Sequence, residues 1–289
     1  MEPSTPASWG LDRIDQRLAL SYSDPINPSA SYLWNEQTGS EVKVYVIDTG
    51  IDVNHTEFGR RATWGYTADQ MVGTEDDNGH GTFCAGIIGS QTYGVAKEVS
   101  LIAVKVLDKN GLSAWNIVID GLVWVLEQHQ PGDNAIVSMS LGAVGTNSGV
   151  EDIVEQLYQS GVIVVTAAGN SYINACDATP ARSPNAITVA ASDINDTSAS
   201  FTNWGPCVDL FAPGVDILST FPDGGTGVMS GTSAAAPYVA GVVARFLSNG
   251  THTPAEVTEW LIANSTANVL EWSRENHHLS PNLLLYVDC

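Results

Sequence analysis

The chain has 289 residues, 44% of them hydrophobic, enough to bury the core of one large α/β domain or two small ones. Its net charge is −21, from 32 acidic against 11 basic residues, and charged residues make up 15% of the chain, below the roughly 25% of an average soluble protein. A surface so short of Lys and Arg repels phosphate backbones, so no nucleic-acid partner is expected, and it lacks the mixed-sign ion-pair networks of hyperthermophiles.

No apolar run approaches the roughly 20 residues that a membrane span needs. Met1 is followed by EPSTPAS, which has neither the basic end nor the apolar h-region of a signal peptide. Along the chain, VKVYVID (42–48), SLIAVKVL (100–107), NAIVSMSL (134–141), VIVVTAAG (162–169) and AITVAAS (186–192) are rich in β-branched residues and nearly unbroken, as buried parallel strands are. Between them, 116–129 and 149–161 carry apolar residues at helical spacing, each closing near a glycine or proline. Near the end, Thr253, Pro254 and Glu256 spell a capping box with proline at the first helical position. There is no internal repeat or linker. The pattern predicts one domain over 1–289, an α/β fold with a doubly wound, mostly parallel central sheet flanked by helices in three layers.

In such sheets ligands bind at the carboxyl ends of the strands, which directs the search for chemistry there. Asp48 closes the first strand in VIDTGID. Taken alone it reads as a turn aspartate, and the aspartic-protease reading of DTG fails because no second such motif supplies the partner carboxylate. His80 stands between glycines in DDNGHGTFCAGIIG, where backbone can approach the ring closely. Asn170 closes the fourth strand in AAGNS, and its amide is either a turn-former or an oxyanion donor. Ser233 precedes AAAPYVAGVVARFL, a segment apolar on nearly every face. It is either an N-cap serine or a nucleophile beside the unpaired N–H groups of a helix start. Pro237 has no N–H for the Ser233 carbonyl, which loosens that first turn.

Four cysteines allow three pairings if all are oxidised, and none forms a C-x-x-C pair, so zinc is not expected. Sequons begin at Asn54, Asn195, Asn249 and Asn264 and matter only in a eukaryotic secretory pathway.

The motifs VIDTG, GHGT, AAGN and SGTSAAAP, in the order Asp, His, Asn, Ser, resemble those of the subtilisin-like serine proteases. The resemblance runs from WGLDRID to NLLLY, and SQTYGVAK, SPNAITVAASD, SFTNWG and VDLFAPG are similar to the proteinase K branch. It implies a serine endopeptidase with Asp48, His80 and Ser233 as triad and Asn170 in the oxyanion hole. It also implies a substrate bound as an extended strand between 111–113 (Gly111, Leu112, Ser113) and 140–142 (Ser140, Leu141, Gly142). Ala167, Ala168 and Gly169 would wall the main specificity pocket.

The resemblance further implies structural calcium and no organic cofactor. One site would use the Pro184 and Ala186 carbonyls with the Asp209 carboxylate, and a second, in LDRIDQR, would use Asp12, Asp15 and Gln16. It implies a Cys176–Cys207 disulfide, a buried free thiol at Cys84, and Cys289 left over. A secreted or extracellular monomer is implied, with protein or peptide substrates, no nucleic-acid or membrane partner, and a signal peptide and propeptide absent from this sequence. The family usually has His, Met and His where this chain has Phe83, Ala234 and Tyr238, and its glycine-rich substrate segments are altered at Leu112, Trp115, Ala143 and Val144. Those departures leave an alternative, a catalytically impaired fold acting as a protein-binding module. The intact Asp48, His80, Asn170 and Ser233 weigh against it. A metal-dependent hydrolase would need ligands the sequence does not offer.

Overall fold

The computed structural model describes residues 2–4, 8–25, 32–34 and 37–288, so Cys289 lies outside the described residues. Nine strands form one sheet. Their spatial order is Thr266–Ala267, Leu283–Leu284, Leu210–Pro213, Ala186–Ser192, Ile163–Ala167, Asn134–Met139, Val42–Asp48, Ser100–Lys105 and Ala62–Thr67. Every neighbouring pair is parallel except Thr266–Ala267 with Leu283–Leu284.

The two-residue period of a strand explains the layers. Val42, Val44 and Val46 enter one hydrophobic cluster, while Tyr45 and Ile47, on the opposite face, enter another. The helices divide between the two faces: α1 (Trp9–Ile14), α2 (His80–Gly89), α3 (Trp115–Gln128), α4 (Ser148–Ser160), α5 (Thr232–Leu247) and α6 (Pro254–Asn264). Residues of α2 and α5 fill the first cluster and those of α3 and α4 the second. A doubly wound, three-layer sheet results, as the alternation of strands and helices implied.

The local signals explain the ends. Asn147 caps α4 by accepting from the Val150 N–H at 3.2 Å, and Gly161 closes it in the left-handed region at φ 98°. At α6, Thr253 accepts from the Glu256 N–H, and the Glu256 carboxylate accepts from the Thr253 N–H at 2.8 Å, the reciprocal capping box. Fourteen of the sixteen residues of α5 are buried, which accounts for its unbroken apolar character.

Four strands of the sheet escaped the sequence reading. Ala62–Thr67 has Gly65 in its middle, a register shift between Trp64 and Tyr66 and partly exposed side chains, all traits of an edge strand. Leu210–Pro213, Thr266–Ala267 and Leu283–Leu284 are too short to show a period. The hairpin Ile217–Phe221 with Gly225–Met229 lies outside the main sheet and leads into the SGTS turn before α5.

Candidate active site

The sheet topology gathers loops from four strands at one edge. Asp48 is the last residue of its strand and fully buried, and its Oδ1 accepts the Thr49 N–H at 2.7 Å. His80 is the first residue of α2. Its Nδ1 lies 2.8 Å from Asp48 Oδ1 and 2.9 Å from Oδ2. With Nδ1–H donated to the carboxylate, Nε2 is left as the basic nitrogen. Burial, the largest single influence, pushes the His80 imidazolium towards deprotonation, but the Asp48 charge and hydrogen bond together with the Cys84 sulfur outweigh it, so the ring titrates well above the usual histidine value.

Glycine makes this approach possible. Gly79, the N-cap of α2, sits at φ 102°, and a Cβ on Gly81 would lie 2.0 Å from the Gly50 carbonyl oxygen. The glycines flanking His80 thus serve the close packing of two backbones.

Ser233 is the second residue of α5, whose N-cap is Gly231, so the N-cap alternative for this serine is corrected. Its Oγ donates to the Ser140 carbonyl at 3.1 Å. The consequence of Pro237 is also visible. The Ser233 carbonyl, which proline cannot satisfy, accepts from Ser140 Oγ at 2.9 Å and Cys84 Sγ at 3.4 Å. Its first turn is therefore tied sideways to neighbouring segments instead of being left loose.

Asn170 is held by its oxygen. Oδ1 accepts from the N–H and the Oγ1 of Thr232, each at 2.9 Å, which assigns the amide orientation and turns Nδ2 away from α5's first residue. Thr232 Oγ1 also accepts from the Gly169 N–H at 3.0 Å. Behind this segment Asn203 donates to the Ala168 carbonyl at 2.7 Å and accepts from the N–H groups of Ser171 and Ile173. Asn203 is 2% exposed, a buried carboxamide spent on shaping one loop.

These groups open on a cleft of about 620 Å³. Gly111, Leu112 and Ser113 line it, as do Ser140, Leu141 and Gly142, and Ala167, Ala168 and Gly169, together with His80, Asn170 and Ser233. The structure thus brings all the proposed substrate-binding segments around one opening. Leu112 and Val144, two of the altered positions, are 67% and 68% exposed and add apolar surface to that lining.

Other departures find local partners. Tyr238 is fully buried, donates its hydroxyl to Ser8 Oγ at 3.2 Å and leans on Gly10, where a Cβ would come within 2.3 Å of that oxygen. Phe83 packs edge-on against Phe221 with ring centroids 5.9 Å apart. Ala234 is 1% exposed, and nothing in the structure explains its choice over a larger residue.

Asp48, His80 and Cys84 place their ligand-type atoms within 4.8 Å of one another, the one such group among the described residues. Burial raises the Cys84 thiol above its usual range and it donates to a carbonyl, so it is held as a neutral thiol, poorly suited to bind a cation. Cys176 and Cys207 form a disulfide with Cα atoms 5.3 Å apart.

The two calcium candidates differ. Asp209 is pushed up to about 6 by burial, against the pull of the Thr188 N–H that its Oδ2 accepts at 2.7 Å. In the neighbouring turn Ser183 Oγ is buried with no hydrogen-bond partner among the described residues. A carboxylate short of positive partners beside the Pro184–Ala186 turn fits a hard cation. At the other candidate, Asp12 Oδ2 accepts from the Tyr22 hydroxyl at 2.8 Å and Oδ1 from Gln16 Nε2 at 3.0 Å. Gln16 thus turns its nitrogen to Asp12, and in this arrangement the donor set does not fit a cation.

An aspartate–histidine pair on a doubly wound sheet, with a serine at a helix start on the same cleft, is the kind of arrangement that serine hydrolases use. The comparisons make the class specific. The subtilase family model matches residues 39–279. A subtilisin-like serine protease of Rhodotorula mucilaginosa is 42% identical over 284 residues, 91% of this chain and 82% of that protein. The extracellular serine proteinase of Thermus sp. strain Rt41A is 44% identical over 98% of this chain and 66% of its own length. Cerevisin of Saccharomyces cerevisiae is 39% identical over 97% of this chain, which spans 46% of it, so this chain covers only about half of some relatives. The crystal structure of a cold adapted subtilisin-like serine proteinase superposes with a TM-score of 0.88 at 42% identity, covering 98% of each chain. The chain belongs to the subtilase family, and it is a subtilisin-like serine endopeptidase.

Thr232, Asn203 and Thr49 also shape this site, and the sequence reading did not single them out; Asp76 also shapes it, and the sequence marks it only as part of the acidic run with Asp77 before His80, whose spacing matches no zinc motif. SFTNWG and SGTS carried the signal for two of them, as motifs adjoining the chosen residues.

Proposed function

We propose that this chain hydrolyses peptide bonds through Asp48, His80 and Ser233, with Asn170 and the Ser233 N–H as oxyanion donors. The observation that carries the reading is the His80 Nδ1 contact to the buried Asp48, at 2.8 Å, on the same cleft as Ser233. Ser233 turns from the Ser140 carbonyl towards His80 Nε2, which takes its proton as Oγ attacks the substrate carbonyl. Asp48 fixes the tautomer and stabilises the imidazolium without taking the proton. Negative charge then develops on the former carbonyl oxygen. Asn170 Nδ2 meets it, together with the Ser233 N–H, which so near a helix start has no intrahelical partner. His80 returns the proton to the leaving amine, and water repeats the sequence on the acyl-enzyme.

The substrate backbone adds as a strand between 111–113 and 140–142, an edge-pairing mode that reads main chain more than side chain. The exposed Leu112 and Val144 favour apolar side chains along it. We read residues 1–289 as a single catalytic domain, acting as a monomer and made as a precursor whose propeptide is removed. Calcium at Pro184, Ala186 and Asp209 would act as a structural ion, neutralising the buried carboxylate. Secretion is supported by the disulfide and by relatives named as extracellular and cuticle-degrading proteases.

The test compares wild type with Ser233→Ala on a chromogenic peptide, with and without a serine-directed sulfonyl fluoride. Wild type is expected to turn over and to be silenced by the reagent, and Ser233→Ala to retain at most about 10⁻³ of the rate. Equal rates in the two proteins exclude the serine mechanism. An inactive wild type that still binds peptide selects the binding-module reading.

A further inference from the structure

We propose that Asp76 is a positioning residue for the reaction, tying the strand end that carries Asp48 to the helix start that carries His80. The inference rests on the proposed roles of Asp48 and His80 and concerns what holds them in register.

Asp48 and His80 are 32 positions apart in the chain and come from different elements, so their contact depends on a non-covalent tie between strand and helix. Asp76 supplies it. Its carboxylate is 7% exposed and accepts five hydrogen bonds. Oδ1 takes the Thr49 hydroxyl at 2.7 Å, the Gly79 N–H at 2.8 Å and the Asn78 N–H at 3.2 Å. Oδ2 takes the Thr82 N–H at 2.9 Å and the Thr82 hydroxyl at 2.6 Å. Three backbone donors thus come from the start of α2, and a hydroxyl comes from the residue beside Asp48. Thr49 Oγ1 accepts in turn from the Gly81 N–H at 2.9 Å, and Thr82 Oγ1 from the Asp52 N–H at 2.8 Å, so the bridge runs in both directions.

The next residue reinforces it. Lys105, 1% exposed, donates to the Thr49 carbonyl at 2.6 Å and to Asp77 Oδ1 at 2.7 Å. Thr49 is therefore gripped through its side chain by Asp76 and through its carbonyl by the Lys105–Asp77 pair. Asp76 lies three residues before the N-cap Gly79, and besides its bonds to the helix start it takes one from the strand end, so it joins the two elements instead of capping one.

Two effects follow. Reacting groups displaced by about 1 Å can lose about 10²-fold in rate, so loosening the tie falls on kcat. Loosening the tie also weakens the Asp48 contact that helps hold the His80 titration raised, so the ring titrates lower. The groups against His80 are Asp48 from the strand and Cys84 from its own helix, with Ser233 of α5 lining the same cleft and the Lys105–Asp77 pair beyond Thr49.

Asp76→Asn preserves shape but sets an NH₂ group against donors whichever way it turns. It is expected to lower kcat about 10- to 100-fold with KM within about twofold, and to shift the acid limb of kcat/KM to lower pH. Thr49→Val, which removes the hydroxyl that donates to Asp76 and accepts from the Gly81 N–H, is expected to lower kcat in the same way and non-additively with Asp76→Asn, while Thr49→Ser retains wild-type kcat. Active sites are counted by sulfonyl fluoride titration, so loss of folded protein does not count as loss of rate. A lower thermal midpoint in Asp76→Asn and Thr49→Val, with kcat and the pH profile unchanged, overturns the proposal. If Asp76→Asn does not fold, the contrast between Thr49→Val and Thr49→Ser decides alone. Failure of the triad itself is read separately, from an undiminished rate in Ser233→Ala.

Discussion

At the scale of single residues, the site is a set of polar groups each aimed by a second one. Asn170 has its oxygen committed to Thr232 and so presents its nitrogen; His80 has Nδ1 committed to Asp48 and so presents Nε2. Removing the presented group tests its share. Asn170→Ala is expected to lower kcat about 10²- to 10³-fold with little change in KM, because the charge it meets exists only in the transition state. Steady-state kinetics on a peptide substrate measure it, and an unchanged kcat removes Asn170 from the oxyanion hole. The sequence picked out Asp48, His80, Asn170 and Ser233 as candidates by the conjunction of four motifs in the order Asp, His, Asn, Ser, each of them modest alone. Thr232 and Asn203 were not picked out, since what marks them is the identity of distant hydrogen-bond partners, which no local pattern encodes, and Asp76 stood out only as part of an acidic run before His80. The second calcium candidate shows the reverse. The residues are present at Asp12, Asp15 and Gln16, but Tyr22 occupies Asp12.

At the scale of elements, function depends on how near one backbone comes to another. The start of α2 lies so close to the turn after the Asp48 strand that Gly81 has no room for a methyl group. Gly81→Ala must push helix and strand apart and is expected to cost stability, about 1–3 kcal/mol as overpacking, and to lower kcat at the same time. Denaturant unfolding and kinetics on the same preparation check it, and a stable, fully active Gly81→Ala shows that the turn can shift freely. The strands that build this edge were visible because burial on both faces makes them continuously apolar. The edge strand Ala62–Thr67 and the short closing strands were not, because one has its ladder and side chains partly in water and the others are two to four residues long. Boundaries of the long elements agree within about two residues, the ordinary fraying of hydrogen-bond ends.

At the scale of the whole molecule, the excess of acidic groups gives the cation question its weight. The Asp209 carboxyl is raised to about 6 by burial, above the value of about 4 expected in the unfolded chain. A carboxyl raised on folding binds its proton more tightly in the native state, so the cation-free protein loses stability as pH climbs from about 4 to about 6. A bound divalent cation reverses that loss by holding the ionised form. Chelation is therefore expected to lower the thermal midpoint more at pH 8 than at pH 5, and the shift to vanish in Asp209→Asn. Scanning calorimetry with and without chelator checks it; a midpoint indifferent to chelator at pH 8 argues against the site.

Ser233, the proposed nucleophile, sits at the tip of α5, which is buried along nearly its whole length between the sheet and α2, and the Ser233 carbonyl is bound by Ser140 and Cys84. Fraying alone is not expected to release such an element, so its amide hydrogens are expected to be among the slowest to exchange with solvent, which hydrogen-exchange measurements check. The proposed nucleophile is thereby mounted on one of the most deeply buried helices of the fold. For a protease, whose unfolded copies are substrate for its folded ones, activity persists until the chain itself becomes digestible, and inactivation and self-cleavage share one barrier.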